Sequence, residues 1–286
     1  MAILILSRGK CALSKCTTRY LIAMASADLM VVVVVVILEK CNYIYLFASF
    51  LLQTPECAVI LVLNVTITGC SVWFTVGFTF DHYIAICCQN LRNQYCNERT
   101  ATVVITIVFA GSCAKGIPFY FAMDPWRCVA AAKYFTSPIW RAYEVFDSIT
   151  TPLLPIFLIL LFNILTVRRI VATNRARRQL RSNNDKQNDL EVENRRKSMI
   201  LLFALSANFI LLWMPYLVQS MTWQTENYSN TDKYFSTPPY ILQQFGFMLK
   251  FLSSCTNTCI YGLTQRKFRE ELKNGMKYLF ALNRQI

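Results

Sequence analysis

Long apolar runs at about 20–38, 57–86, 101–122, 146–170, 197–223 and 240–263 divide the chain, with polar stretches between them. Each run has the roughly 20 residues that an α-helix needs to cross bilayer hydrocarbon. The pattern predicts an all-α, multi-pass membrane bundle over 1–286, read as one domain. Residues 1–7, MAILILS, are apolar but too short to span. A signal peptide would need a basic region before the run and a cleavage site after it, and neither is present. An ordinary short N-terminus before six spans stays open. The reading we favour is the end of a truncated first helix whose upstream part lies outside this chain. Beyond residue 264, Phe268, Leu272, Met276 and Leu279 share one face at helical spacing. That makes 265–280 a short amphipathic helix along the inner membrane surface, with its cations near lipid headgroups.

Composition agrees with a membrane protein. Hydrophobic residues make up 55% of the chain and charged residues 16%, against about 25% charged in soluble domains. A net charge of +13 suggests nucleic acid at first. However, the basic residues gather at the ends of apolar runs, which argues against a nucleic-acid partner. They also set the orientation. The stretches 8–19, 87–100, 168–197 and the tail hold 22 Lys and Arg. The opposite loops hold six: Lys40, Lys115, Arg127, Lys133, Arg141 and Lys233. The richer side, with the C-terminus, is therefore cytoplasmic. The polar stretch Thr173–Ser198 is either a solvated positive-inside loop or a surface for an acidic cytoplasmic partner. Twelve scattered cysteines with no CxxC pair give no zinc-type cluster. The valines Val31–Val36 read as lipid-facing or packing residues.

Ionisable groups inside the runs need a reason, because a charge at mid-membrane costs about 2.5–3.5 kcal/mol on insertion scales. Asp28 sits among small residues in LIAMASADLM. Asp81 and His82, the only histidine, end the second full run. Trp213 and Pro215 stand in FILLWMPY, and Asn257 and Tyr261 in SSCTNTCIYG. A proline within a span kinks it and frees a carbonyl.

This set resembles a rhodopsin-like (class A) G-protein-coupled receptor. The matching motifs are A-x-A-D ending at Asp28, D-H-Y at Asp81, His82 and Tyr83, Pro155, Phe209 with Trp213 and Pro215, and N-T-C-I-Y from Asn257 to Tyr261 followed by Phe268. The stretches SRGKCALSKC, CSVWFTVGFTFDHYIAICC, ENRRKSMILLF, CTNTCIY and KFREELKN are similar to fish members of the probable G-protein-coupled receptor 139 group. That resemblance implies a seven-helix bundle in the plasma membrane, a heterotrimeric G protein, Gq-type, as cytoplasmic partner, and a small extracellular ligand such as an amino acid or peptide. The mammalian member of the group responds to aromatic amino acids.

Site residues follow from the resemblance alone. It implies a disulfide between Cys57 and Cys128. It places Asp28, Val72, Pro155, Phe209, Trp213, Pro215, Asn257 and Tyr261 in the activation core, with a sodium site at Asp28 and Asn257. It lines the ligand pocket with Asn64, Thr68, Asp147, Thr151, Tyr216, Leu217, Ser220, Phe247, Lys250 and Phe251, above Trp213. Lys250 would hold a carboxylate and Asp147 an ammonium, or the two would pair with each other or reach the interface. Asn227 begins an N-x-S glycosylation sequon in the last outer loop; Asn64 begins another inside a span, where it is discounted.

The chain also departs from the family. His82 stands where the family has Arg, which pairs with the neighbouring Asp at rest and meets the G protein on activation. His is shorter and has an unperturbed pKa near 6.5. A working receptor with weaker or pH-sensitive coupling, a receptor that binds without signalling well, and a degenerating copy or sequence error all remain open. Thr258 replaces the seventh-helix proline, and no Cys follows residue 259 to accept palmitate. A six-span transporter or channel would show inverted repeats or paired glycines in broken helices, and neither is found. An enzyme is the least supported class, with no HExxH and no GxSxG.

Overall fold

The computed structural model describes residues 2–8, 14–38, 55–124, 130–180, 188–225 and 238–282. Each apolar run becomes a helix that continues past the run in polar turns. The helices are α1 (Ala2–Ser7), α2 (Lys15–Val31), α3 (Glu56–Cys87), α4 (Gln89–Tyr95), α5 (Glu98–Gly116), α6 (Ala132–Thr136), α7 (Pro138–Ser148), α8 (Leu154–Leu180), α9 (Asn188–Thr225), α10 (Pro238–Thr264) and α11 (Arg266–Leu282). No sheet forms among the described residues; one antiparallel bridge joins Met123 to Ala130. Among the described residues, two helix starts have side-chain caps. Ser14 accepts the Thr17 N–H at 3.1 Å, and Asn97 accepts that of Thr100 at 2.8 Å.

Among the described residues, five stretches are long and apolar enough to cross a membrane: Lys15–Leu38, Glu56–Cys87, Glu98–Ala122, Pro138–Thr173 and Met199–Met221. The 27-residue α10 has the length but is less apolar. Its polarity is one-sided. Lys250, Ser253, Ser254 and Asn257 are buried, whereas Phe245, Met248, Leu252 and Leu263 face outward. That is how a membrane helix carries polar groups, with the costly side turned into the bundle.

Residue pairing fixes the packing. Cys16 meets Asp81 and Asp28 meets Ser71, so α2 and α3 run antiparallel. Asn208 meets Asn257, and an added Cβ on Gly246 would touch Tyr216, so α9 and α10 are antiparallel too. One core cluster joins Leu6 of α1, Tyr20 and Met24 of α2, Phe78 of α3, Leu202 of α9, Tyr261 of α10 and Phe268 of α11. Within the valine run, Val31, Val34 and Val35 pack on Ile60 and Ile67 of α3. At the tail, Phe268 lies edge-on to Tyr261, ring centroids 6.1 Å apart, and seats α11.

Between α7 and α8 the chain makes one wide π turn, Ile149–Leu153, around Pro152. Pro155 has no N–H to give the carbonyl of Thr150. The Trp73 indole of α3 donates to that carbonyl instead, at 3.2 Å. A freed backbone acceptor thus becomes an interhelical bond, as the bilayer requires. In α10, Thr258 keeps the N–H that a proline would lack, and the helix runs through it unbroken.

Gly246 lies where α10 crosses the Pro215 turn. A Cβ there would stand 3.1 Å from the Tyr216 Cα and 3.2 Å from its nitrogen, both backbone atoms that cannot swing away. Gly262 has open space. Gly246→Val should lower stability by about 1–3 kcal/mol through overpacking, and Gly262→Val should lower it far less. Thermal unfolding of the purified chain in lipid nanodiscs measures both, and equal losses would contradict this packing.

Candidate functional site

Near the Glu56 end of α3, a cavity of about 340 Å³ opens between α3, α7, α9 and α10, a volume typical of small-molecule sites. Of the expected lining, Asn64, Thr68, Asp147, Thr151, Tyr216, Ser220, Phe247, Lys250 and Phe251 all border it. Leu217 does not. It lies one turn beyond Trp213 and packs with Val72, Ile156 and Phe209. Tyr134, Glu144, Gln219 and Gln243 also line the cavity; no motif marks them, and Tyr134 comes from the short loop helix α6. Cys57 is disulfide-bonded. Its expected partner Cys128, like the sequon at Asn227, lies outside the described residues.

The two charges expected to hold a ligand, Lys250 and Asp147, behave differently. Lys250 is buried, and its Nζ stands 4.9 Å from the ring centre of Tyr216, 5.5 Å from Trp213, 5.6 Å from Phe251 and 5.7 Å from Phe247. Each ring face attracts the ammonium at this range. Asp147 corrects the sequence reading: it pairs not with Lys250 but with Lys115, Nζ to Oδ1 at 2.7 Å. Lys115 was assigned to an outer loop; it belongs to α5, inside the bundle. Thr151 donates to the same carboxylate oxygen at 3.1 Å and also meets Lys115. The π turn supplies Thr151 in this place. Tyr143 donates to the Lys115 carbonyl at 2.6 Å, fixing α7 on α5. Trp140, three residues before Tyr143, lies 6.0 Å from its ring and 6.2 Å from that of Phe119, centroid to centroid, and this cluster closes that side. Glu144 accepts a hydrogen bond from Tyr134. Burial and this carboxylate push the Tyr134 phenol well above its ordinary range, so it stays a donor.

Below the cavity an aromatic column descends. Phe247 lies 5.5 Å from Tyr216, Tyr216 5.8 Å from Trp213, and Trp213 5.2 Å from Phe209, centroid to centroid. Phe209 and Trp213 share a buried cluster with Val72, beside Ile156, the neighbour of buried Pro155. Alongside lies a polar network around Asp28. Ser71 donates to Oδ1 at 2.7 Å and Asn257 Nδ2 to Oδ2 at 2.9 Å. Asn208 Nδ2 in turn donates to Asn257 Oδ1 at 3.2 Å, and Thr256 donates to Asn208 at 2.9 Å. Asp28 and Asn257 thus meet as expected. Ser71 and Asn208 carry no signal in a single sequence beyond being polar in an apolar run.

At the far end of α3, Asp81 and His82 are buried. Cys16 donates its thiol to Asp81 Oδ1 at 2.9 Å, and Cys96 reaches the Asp81 carbonyl at 3.6 Å. Burial and the Asp81 charge push the Cys96 thiol up to about 12. His82 Nδ1 lies 3.1 Å from the Phe78 carbonyl, and its ring packs on Phe78 with centroids 4.2 Å apart. Tyr83 stacks on Phe162 of α8 at 5.7 Å. The Tyr261 hydroxyl is buried with no hydrogen-bond partner.

Comparison with known proteins matches this arrangement. A family described as "7 transmembrane receptor (rhodopsin family)" matches residues 1–261. A mouse (Mus musculus) protein named "Probable G-protein coupled receptor 142" is 31% identical over 111 residues, 38% of this chain and 29% of that protein. The chain thus matches less than a third of that relative's length. With apolar helices that cross a bilayer several times and a family match over nearly its whole length, the chain is a multi-pass membrane protein that belongs to the rhodopsin family of seven-transmembrane receptors.

Proposed function

We propose that the protein is a plasma-membrane receptor that binds a small extracellular ligand bearing a carboxylate and acts on a heterotrimeric G protein at its cytoplasmic face. The observation that carries this reading is Lys250, an ammonium ringed by four aromatic faces on the cavity wall. A carboxylate entering the cavity gains a charge-assisted hydrogen bond in a low-dielectric site, and the rings favour a flat apolar group beside it. Movement of Lys250 bears on Trp213 directly, and through it on Phe209 and the core of α3 and α8. Gq-type coupling follows from the similarity to the receptor 139 group. The Cys57–Cys128 bridge and a glycan on Asn227 belong to the same outward-facing reading.

Sodium at Asp28 would find an all-oxygen donor set in the Asp28 carboxylate and the Ser71 hydroxyl, which suits a hard cation. Asn257 turns its amide N–H to the carboxylate, so it would hold the site's shape and offer its own oxygen only by rotating. A bound cation would supply positive charge against Asp28.

One observation favours attenuated signalling. His82 is buried against Phe78, and Asp81 is engaged by Cys16, so the short imidazole is held within the helix packing. His82→Arg should raise G-protein activation in cells several-fold at matched surface expression; an unchanged response would show that His82 couples as it stands. Lys250→Met should weaken responses to carboxylate ligands by tenfold or more, the scale of one charge-assisted hydrogen bond. Responses to the matching methyl esters should stay unchanged. Equal potency of carboxylate ligands on both receptors, read by calcium release, would remove Lys250 from ligand binding.

A further inference from the structure

We propose that the cysteine pair at the end of α3, Cys87 with Cys88, is an S-acylation site, where a long-chain fatty acyl group joins the chain by a thioester and lies in the inner leaflet. The proposal goes beyond the receptor reading and needs only that residues 87–100 face the cytoplasm, where the acyl donor is found. Both cysteines are partly exposed and free of disulfides. Cys87 is the last residue of the membrane-crossing stretch Glu56–Cys87. Cys88 closes α3, its N–H donating to the Ile84 carbonyl at 3.0 Å, and opens α4, its carbonyl accepting the Arg92 N–H at 3.0 Å. The thiols therefore stand where the apolar stretch ends, the setting in which cysteines accept acyl chains.

The helix α4 supplies an independent sign of lipid. Leu91 and Tyr95 follow Cys88 by three and seven residues, so the three share one helix face. Leu91 is 40% exposed and Tyr95 48%, and the cation Arg92 beside them is exposed too. A short helix that turns leucine and tyrosine outward at the end of a span lies along the headgroup boundary, with its cation toward the phosphates. An acyl chain on Cys88 enters the bilayer on that same face. The other described cysteines lack this combination. Cys57 is in a disulfide, Cys16 and Cys70 are buried, and Cys96 gives its thiol to the Asp81 carbonyl at 3.6 Å. Cys113 lies within α5, and Cys255 and Cys259 lie within α10. In the reaction, the cysteine sulfur attacks the thioester carbonyl of a long-chain acyl-coenzyme A. The new C–S bond forms as the bond to the coenzyme A sulfur breaks, and the cysteine proton leaves with the coenzyme A thiol; nothing is oxidised or reduced. One acyl chain adds little hold to a chain with several spans. Its effect is local: it pins α4, which runs directly into Cys96 and so into the contact with Asp81.

The test uses the full chain expressed in mammalian cells. Free thiols are blocked, thioesters are cleaved with hydroxylamine, and each thiol so released is tagged with a maleimide–polyethylene glycol that retards the chain on a gel. The unmodified chain should show a hydroxylamine-dependent shift. That shift should persist in Cys255→Ser with Cys259→Ser and be lost in Cys87→Ser with Cys88→Ser. If the latter double variant does not fold, Cys88→Ser alone is decisive and should remove most of the shift, because Cys88 is the thiol on the α4 face. Leu91→Ser with Tyr95→Ser keeps both thiols but strips that face of its apolar side chains, and should weaken the shift severalfold. No hydroxylamine-dependent shift in the unmodified chain overturns the proposal. So does a full shift in the Cys87 and Cys88 variants or in the Leu91 and Tyr95 variant, and so does loss of the shift with Cys255 and Cys259.

Discussion

A carboxylate inside a bilayer slab has no water to lean on, so it must be matched by groups from another helix. Three carboxylates within the apolar runs meet that demand, and each match ties helices together. Asp28 binds Ser71 of α3 and Asn257 of α10. Asp81 takes the Cys16 thiol of α2. Asp147 takes Lys115 of α5. These bonds lie at three depths of the bundle, and apolar packing fills the space between them. Because the polar partners are few and specific, they fix which faces meet, whereas leucine and valine contacts alone would tolerate many rotations.

The same demand shapes the backbone. Pro152 and Pro155 break the ladder between α7 and α8, the turn widens, and Trp73 answers the freed Thr150 carbonyl. That turn brings Thr151 to Lys115 and Asp147. The Asp147 charge is closed locally, and Lys250 stands among the cavity's aromatic faces, above the column that runs through Trp213 to Phe209. Ligand chemistry and helix packing are in this way consequences of one constraint.

Much of this was legible in the sequence, for physical reasons. Spans are legible because the bilayer demands long apolar runs. Asp28, Asn257, Trp213 and most of the cavity lining were placed by the resemblance to rhodopsin-like receptors, which carries over because a regular helix holds a position along a face predictably. Other features were not. The Lys115–Asp147 pair joins residues 32 apart in the chain and depends on how α5 is rotated and on a π turn that only the two prolines hint at. Lys115 was counted with the outer-loop cations because charge near a span end ordinarily lies outside the membrane. Leu217 was placed in the cavity by position, but the one-turn step from Trp213 points it into the core. Cys16 gave no sign as the partner of Asp81, since a cysteine in an apolar run is usually a small packing residue. Glu144 escaped notice because its partner comes from a short loop helix with no motif.

The most direct test is a double-mutant cycle on the Lys115–Asp147 pair, with thermal stability of the purified chain measured for Lys115→Met, Asp147→Leu and the double variant. If charges within the bundle are closed by partners on other helices, each single change strands a half-buried charge, and the double variant should be no less stable than either single one. Losses that simply add in the double variant would mean that the two side chains do not depend on each other, and would contradict the constraint on which the structure is explained.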